Sequence, residues 1–200
     1  MKKSQALFLA FFLTFSSAPR VFAASYAIDA DHTAVSFKIR HLFSNVQGTF
    51  NQFEGSFDYE PGKPEQASVQ AVIKAASIDT NVEARDKHLR SADFFDAEKF
   101  PEISFKSTKF TEDSPESGKL EGVLTLHGVE KPVTLEVQIH GAGNDPWGNT
   151  RSGFTATAKI NRKDFGLGWN KALETGQLLV GDEVVITLEV EGISKKQDKG

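Results

Sequence analysis

Leu120 to Ile139 reads LEGVLTLHGVEKPVTLEVQI, and its two arms decide the fold class. Leu120, Gly122, Leu124 and Leu126 alternate with Glu121, Val123 and Thr125. Val133, Leu135, Val137 and Ile139 alternate in the same way with Thr134, Glu136 and Gln138. A strict period of two marks a half-buried β-strand, so the arms form a hairpin joined by His127 to Pro132.

The same alternation recurs on both sides of this hairpin. Val35, Phe37 and Ile39 oppose Ser36, Lys38 and Arg40 within Ala34–Arg40. Val46 to Tyr59 is longer, and its apolar phase slips near Asn51-Gln52, as a bulge or sharp bend requires. Gly48 and Gly55 inside its halves fit close backbone approach at a barrel corner. Ala67 to Ala75 presents small residues on one face, which leaves room on the inside. Further strands are expected from Ile103 to about Phe110, from Gly153 to Ile160 and from Asp182 to Glu191. Thr111–Gly118 and Gly141–Gly148 read as polar loops.

One stretch breaks the pattern, SIDTNVEARDKHLRSADFFDAEKFPEISF from Ser77 to Phe105. Thr80 or Asn81 can cap a helix with Glu83 in its first turn and Lys87, His88 and Arg90 in its last, the charge order a helix dipole favours. Ser91 opens a second turn and Pro101 stops it. The expectation is an all-β chain of about eight strands with one short helical insertion at about 80–100. A two-sheet sandwich fits the alternation as well, but closure into an antiparallel barrel removes exposed edges. An outer-membrane barrel is disfavoured, because Lys38, Arg40, Glu183, Glu189 and Glu191 suit bulk water better than a narrow lumen.

Composition bounds the class. Met1-Lys2-Lys3, the apolar run Ala6–Phe15 and the small residues Val21 and Ala23 read as a signal peptide, 1–23, cleaved after Ala23. A single domain, 24–193, and a polar tail, 194–200, follow. Cleavage removes Lys2, Lys3 and Arg20 and no acidic residue, so the net charge falls from −4 to −7. That opposes nucleic acid and an anionic membrane surface as main partner. With no cysteine in the chain, a hydrophobic core must hold it together.

The order of motifs resembles the YceI-like proteins, a bacterial lipocalin-like, polyisoprenoid-binding family. Asp31-His32-Thr33, Arg40-His41-Leu42, Gly48-Thr49-Phe50 and Ile78-Asp79-Thr80 carry the resemblance. Arg85-Asp86, His88-Leu89-Arg90, Phe94-Phe95-Asp96, Phe100-Pro101, the central hairpin, Arg162, Asp164-Phe165-Gly166 and Val180-Gly181-Asp182 complete it. It implies an extended eight-stranded lipocalin-like barrel with a long apolar tunnel for a polyisoprenoid lipid, a homodimer and a periplasmic location. The expected function is non-catalytic binding or transport of an isoprenoid quinone or prenyl diphosphate, with transient membrane contact.

The inward phases nominate Phe37, Phe50, Phe53, Val69, Ile73, Phe105, Leu124, Leu135, Phe154 and Ile186 as tunnel lining, with Phe94 and Phe95 at the mouth. Head-group candidates are Arg40, His41, His88 and Arg90. No cofactor motif is present. The histidines lack the close spacing of a zinc pair, so no metal is expected, and His32, His41 and His88 are the set that a metal reading would use. Asp86, Arg40 and Arg162 read as ion pairs or loop anchors. The competing readings are a carrier of another amphiphile, such as a fatty acid or fatty amide, and an enzyme of lipid or quinone metabolism using His32, Asp86 and His88.

Overall fold

The computed structural model describes residues 24–194. The expected signal peptide, its cleavage site at Ala23 and residues 195–200 of the tail lie outside them. Eleven strands follow in chain order: β1 Ala24–Ile28, β2 Ala34–His41, β3 Ser44–Phe50, β4 Phe53–Tyr59, β5 Ser68–Lys74 and β6 Ile78–Asp79. Helix α1, Glu83–Arg90, intervenes. Then come β7 Glu102–Ser114, β8 Ser117–Leu126, β9 Val129–Asn144, β10 Thr150–Asn161 and β11 Val180–Ser194.

These segments make eight staves, because β1 with β2, β3 with β4, and β5 with β6 each run on as one interrupted strand. Neighbours are antiparallel throughout, in the order β1-β4-β5-β7-β8-β9-β10-β11, and β1 returns to β11 through Tyr26–Ser194 and Ile28–Gly192. β2 pairs the other part of the same β11 edge, with Phe37 opposite Ile186, and carries β3 on its far side. The sheet therefore closes, and the barrel reading stands over the sandwich.

β1 is not announced by any long alternation, yet it supplies this seam. Arg151 holds the seam from outside. Its Nε donates to Asp145 at 2.8 Å, and its Nη1 donates to Asp29 at 2.7 Å and also to Glu191. One guanidinium thus ties the β9–β10 turn, the end of β1 and β11.

The break expected at Asn51-Gln52 separates β3 from β4. A Cβ on Gly48 would stand 2.5 Å from the Phe37 ring, and one on Gly55 would stand 2.4 Å from the Gln70 carbonyl oxygen. The hairpin turn is tighter than expected. His127 (φ 53°) and Gly128 (φ 73°) form the whole loop, both left-handed as a two-residue turn demands. Val129 to Pro132 belong to β9, with Pro132 opposite Val123. The expected loops are strand over most of 111–118 and over half of 141–148, because β7 to β10 run on past the core, with Thr111–Ser114 of β7 and His140–Asn144 of β9 exposed on both faces. Alternation cannot mark a strand that buries neither face.

Helix α1 begins without a side-chain cap. Val82 is the N-cap, Asn81 sits at φ 62°, and the Thr80 hydroxyl donates to the buried Asp86 carboxylate. Thr80 and Asn81 therefore do not cap the helix as expected. Asp86 also accepts from the Thr80 amide at 2.9 Å, so this carboxylate stitches the approach to the helix.

Because the staves run up and down, the two ends of the barrel differ. One end carries the turn between β2 and β3, the α1 excursion, the His127-Gly128 turn and the connection from Arg162 to Leu179. The other end carries the turns 60–67, 115–116 and 145–149.

The Arg151 cluster predicts a pH dependence. The hydrogen bond from Arg151 holds the Asp145 carboxyl far below the ordinary carboxylate range, aided by Asn149 and by the Trp147 and Asn149 amides. Asp29 is lowered chiefly by the same guanidinium. Carboxyl groups depressed on folding add stability above their unfolded pKa, near 4, and lose it as pH falls toward the folded value. The urea midpoint should therefore drop between about pH 5 and pH 2, and Arg151→Met should drop less over that window. Parallel curves for the two proteins would refute this role.

Candidate functional site

The barrel encloses a cavity of about 520 Å³. Inward residues of nearly every stave line it, because period-two alternation places one phase of each strand inside. β2 contributes Val35, Phe37, Ile39 and His41, and β5 contributes Val69, Ala71 and Ile73. Phe50, Phe53, Phe105, Leu124, Leu135, Phe154 and Ile186 complete the long walls. The small side chain of Ala71, opposite Phe105 across the β5–β7 pair, leaves part of this space open.

The end away from α1 is narrowed by aromatic and aliphatic packing. Tyr26 stacks on Phe57 at 5.0 Å between ring centroids, and Phe57 meets Phe154 edge-on at 5.2 Å. Leu120, Leu135, Val137, Ala156 and Ala158 form a buried cluster beside them. The α1 end is built differently. Ala84, Arg85, His88 and Leu89 of the helix, with Phe94 and Phe95 of the following turn, face the cavity from one connection. Leu167, Trp169 and Leu179 face it from the other.

The rings of His88, Phe94 and Trp169 meet pairwise, each pair with centroids 5.0 Å apart, so three aromatic groups join the two connections across this end. Phe95 packs its edge on Phe50 at 5.7 Å. His88 Nε2 is 2.8 Å from the Asp93 carboxylate, which orients the imidazole.

The polar groups among the lining gather mainly at the α1 end, in His41, Arg85, His88 and Arg162. Arg85 donates from Nε to the Thr80 hydroxyl and from Nη2 to the Thr80 carbonyl, each at 2.7 Å. Arg162 is only 3% exposed. Its guanidinium donates to the carbonyls of Gly181 (2.8 Å), Leu167 and Trp169 (3.0 Å), anchoring the connection that carries Trp169. Burial pulls its pKa down, while nearby Asp182 pushes it up.

All twelve residues nominated from the inward phases and the mouth line this one cavity. Of the four head-group candidates, His41 and His88 line it too. The other two require correction. Arg40 shares the outward phase of Lys38, and its Nη1 donates to the Leu42 carbonyl on the outside. Arg90 donates to the carbonyls of Ala76 and Ile78, securing α1 to the chain before it. Arg85 and Trp169 were missed, since both come from connections without strand periodicity. The aromatic content of those connections was the available signal.

His32, His41 and His88 do not form a metal cluster. His32 is held at 2.9 Å by Asp29, on the outside of the barrel, while His41 and His88 face the cavity. Among the described residues, Asp29, His32 and Glu191 are the group whose ligand atoms converge. The Arg151 guanidinium already provides the cation there. Asp86 is occupied by Thr80, so His32, Asp86 and His88 each serve a separate local network.

A closed antiparallel barrel around an apolar cavity, with its polar lining mainly at the helix-covered end, is a lipocalin-like barrel. The chain belongs to the YceI-like family: the profile of the YceI-like domain matches residues 26–192. It is 43% identical over 199 residues to protein YceI of Escherichia coli O157:H7, covering 98% of this chain and all of that one. The crystal structure of the Campylobacter jejuni YCEI protein superposes with a TM-score of 0.69 at 30% identity, covering 94% of this chain and 100% of that one. A polyisoprenoid binding domain from Saccharophagus degradans, implicated in plant cell wall breakdown, shares the fold at a TM-score of 0.61 and 15% identity, covering 86% of this chain and 99% of that one.

Proposed function

We propose that this protein binds a long-chain isoprenoid lipid, an isoprenoid quinone or a prenyl diphosphate, and stores or carries it in the periplasm without transforming it. The observation that carries this reading is the 520 Å³ cavity, apolar along the barrel and polar mainly at one end. Cavities of roughly 300–1,000 Å³ suit small organic ligands held by apolar walls and a few placed polar groups. A prenyl chain asks for wall and length, while its head group asks for hydrogen bonds at one point. Arg85, His88 and His41 offer those bonds at the α1 end. Likeness to a polyisoprenoid binding domain supports the class of ligand.

Magnitudes bear on how the chain sits. At about 0.8 kcal/mol per buried CH₂, forty carbons would contribute roughly 30 kcal/mol gross. The practical ceiling for complexes is near 20 kcal/mol, so ordering costs or incomplete burial must offset the rest. A tunnel of roughly 25 Å is shorter than an extended octaprenyl chain, so the lipid bends or its end protrudes.

Native mass spectrometry of the protein from its own compartment, with the bound species extracted and fragmented, tests the reading. The expected species has a mass built of five-carbon units plus a head group, at one per barrel. A fatty acid or amide there would favour the other amphiphile. A barrel that stays empty after incubation with quinones and prenyl diphosphates would sink the proposal. The same spectra report whether the protein is the homodimer this reading includes.

A further inference from the structure

We propose that the α1 end of the barrel docks on a lipid bilayer through the side chains of Phe43 and Leu178, so that the cavity opens toward the membrane. The inference rests on the carrier reading above and adds its partner surface.

Phe43 is 89% exposed and Leu178 is 38% exposed. Phe43 sits in the two-residue turn between His41 and Ser44, which pair across β2 and β3. Turns of this length favour Gly, Asn or Asp where φ is positive. Here Leu42 adopts φ 49°, and the turn is Leu-Phe. A left-handed leucine carrying an exposed phenylalanine breaks both the turn rule and the surface rule. Such local violations concentrate at functional sites.

Leu178 belongs to the second connection, and the two segments are joined directly. The Leu42 amide donates to the Leu179 carbonyl at 2.9 Å. The neighbours on each side, His41 and Leu179, both line the cavity. The exposed apolar surface is therefore continuous with the cavity wall. Val82, 46% exposed at the N-cap of α1, adds a third such side chain at the same end of the barrel.

Charge and location favour a bilayer as the occupant. Arg40 donates to the Leu42 carbonyl at 3.1 Å, and the Lys171 carbonyl accepts from the Leu179 amide at 2.9 Å, so two exposed cations flank the tip, against Glu174 in the same loop. In a chain whose net charge is −7 without residues 1–23, this local placement sets the tip apart from the rest of the surface and matches lipid phosphates. Apolar side chains flanked by cations are the composition of an interfacial anchor. A water-insoluble cargo also needs a path that avoids water, and a wall continuous with the membrane-facing rim provides one.

Trp147, 81% exposed, stands in the 145–149 turn at the opposite end and supplies an internal control. Flotation with vesicles of phosphatidylethanolamine and phosphatidylglycerol should carry the wild-type protein, with a partial loss at high salt as the two cations are screened and the apolar tip holds the rest. The Phe43→Ser/Leu178→Ser protein should partition at least tenfold less, with an unchanged urea midpoint and unchanged co-purified lipid. In a Trp169→Phe background, Trp147 should escape quenching by brominated acyl chains. Equal flotation of wild type and double variant, or quenching of Trp147, would overturn the proposal. So would sedimentation showing a dimer that the double variant dissociates while neither protein floats, since the rim would then join two copies. Flotation reads the rim without reference to cargo, so an empty barrel that still floats counts against the carrier reading alone.

Discussion

Ala71→Trp should leave the barrel folded and strip it of its lipid. Ala71 is half-buried on β5, opposite Gly55 on one side and Phe105 on the other, and its methyl group faces the cavity. Overpacking a filled core costs about 1–3 kcal/mol, because neighbours must leave their rotamers. Here the indole has open volume to enter, so the urea midpoint should shift little. The space it takes is what an acyl or prenyl chain would occupy. Displacing one five-carbon unit forfeits about 4 kcal/mol at 0.8 kcal/mol per CH₂, roughly a thousandfold in affinity. Native mass spectra should show the wild-type protein loaded and the variant empty. Equal loading would mean that the lipid binds elsewhere.

Arg162→Ala should be the most destabilising single change near the site. The buried guanidinium satisfies the carbonyls of Gly181, Leu167 and Trp169, and lies 3.5 Å from Asp182. Alanine leaves those carbonyls without their donor in a place water reaches poorly. Breaking a buried charged network of this kind costs about 3–5 kcal/mol. The connection would then loosen, and Trp169 would lose its seat against His88 and Phe94. Denaturation should show the loss of stability, and Trp169 fluorescence should shift red before global unfolding. Lysine should not rescue it, because one ammonium cannot reach carbonyls arranged for a planar fork. A change of less than 1 kcal/mol would show that Arg162 is not the anchor.

The two variants probe features that differed in how far they could be read in advance. Ala71 was visible as a small residue on the inward phase of an alternating strand. The role of Arg162 as a loop anchor was only one of the readings open to a charged residue after a strand. Its partners are main-chain carbonyls from two loops, and no side-chain pattern announces a carbonyl. Trp169 has the same difficulty, since it meets His88 across 81 residues of chain and outside any periodic segment.

The strand extensions erred for another reason. Thr111, Glu112 and Ser114 of β7 and Gly141 to Asn144 of β9 are ladder-paired yet exposed, so hydrophobic phase carries no signal there. β1 is short and follows directly on the expected cleavage site, where small apolar residues have another explanation.

The sequence by itself determined the all-β class, the phase of each long strand and hence which side chains point inward. Period-two alternation is a property of the local backbone, so no distant contact is needed to read it. Only the tertiary structure decided that the sheet closes on β1 and β11, that the inside is a cavity and not a filled core, and that its polar groups lie mainly at the α1 end. Those outcomes depend on how inward side chains from all eight staves fill the interior between them. The same alternation serves a packed barrel, a sandwich or a tunnel, and packing alone distinguishes them.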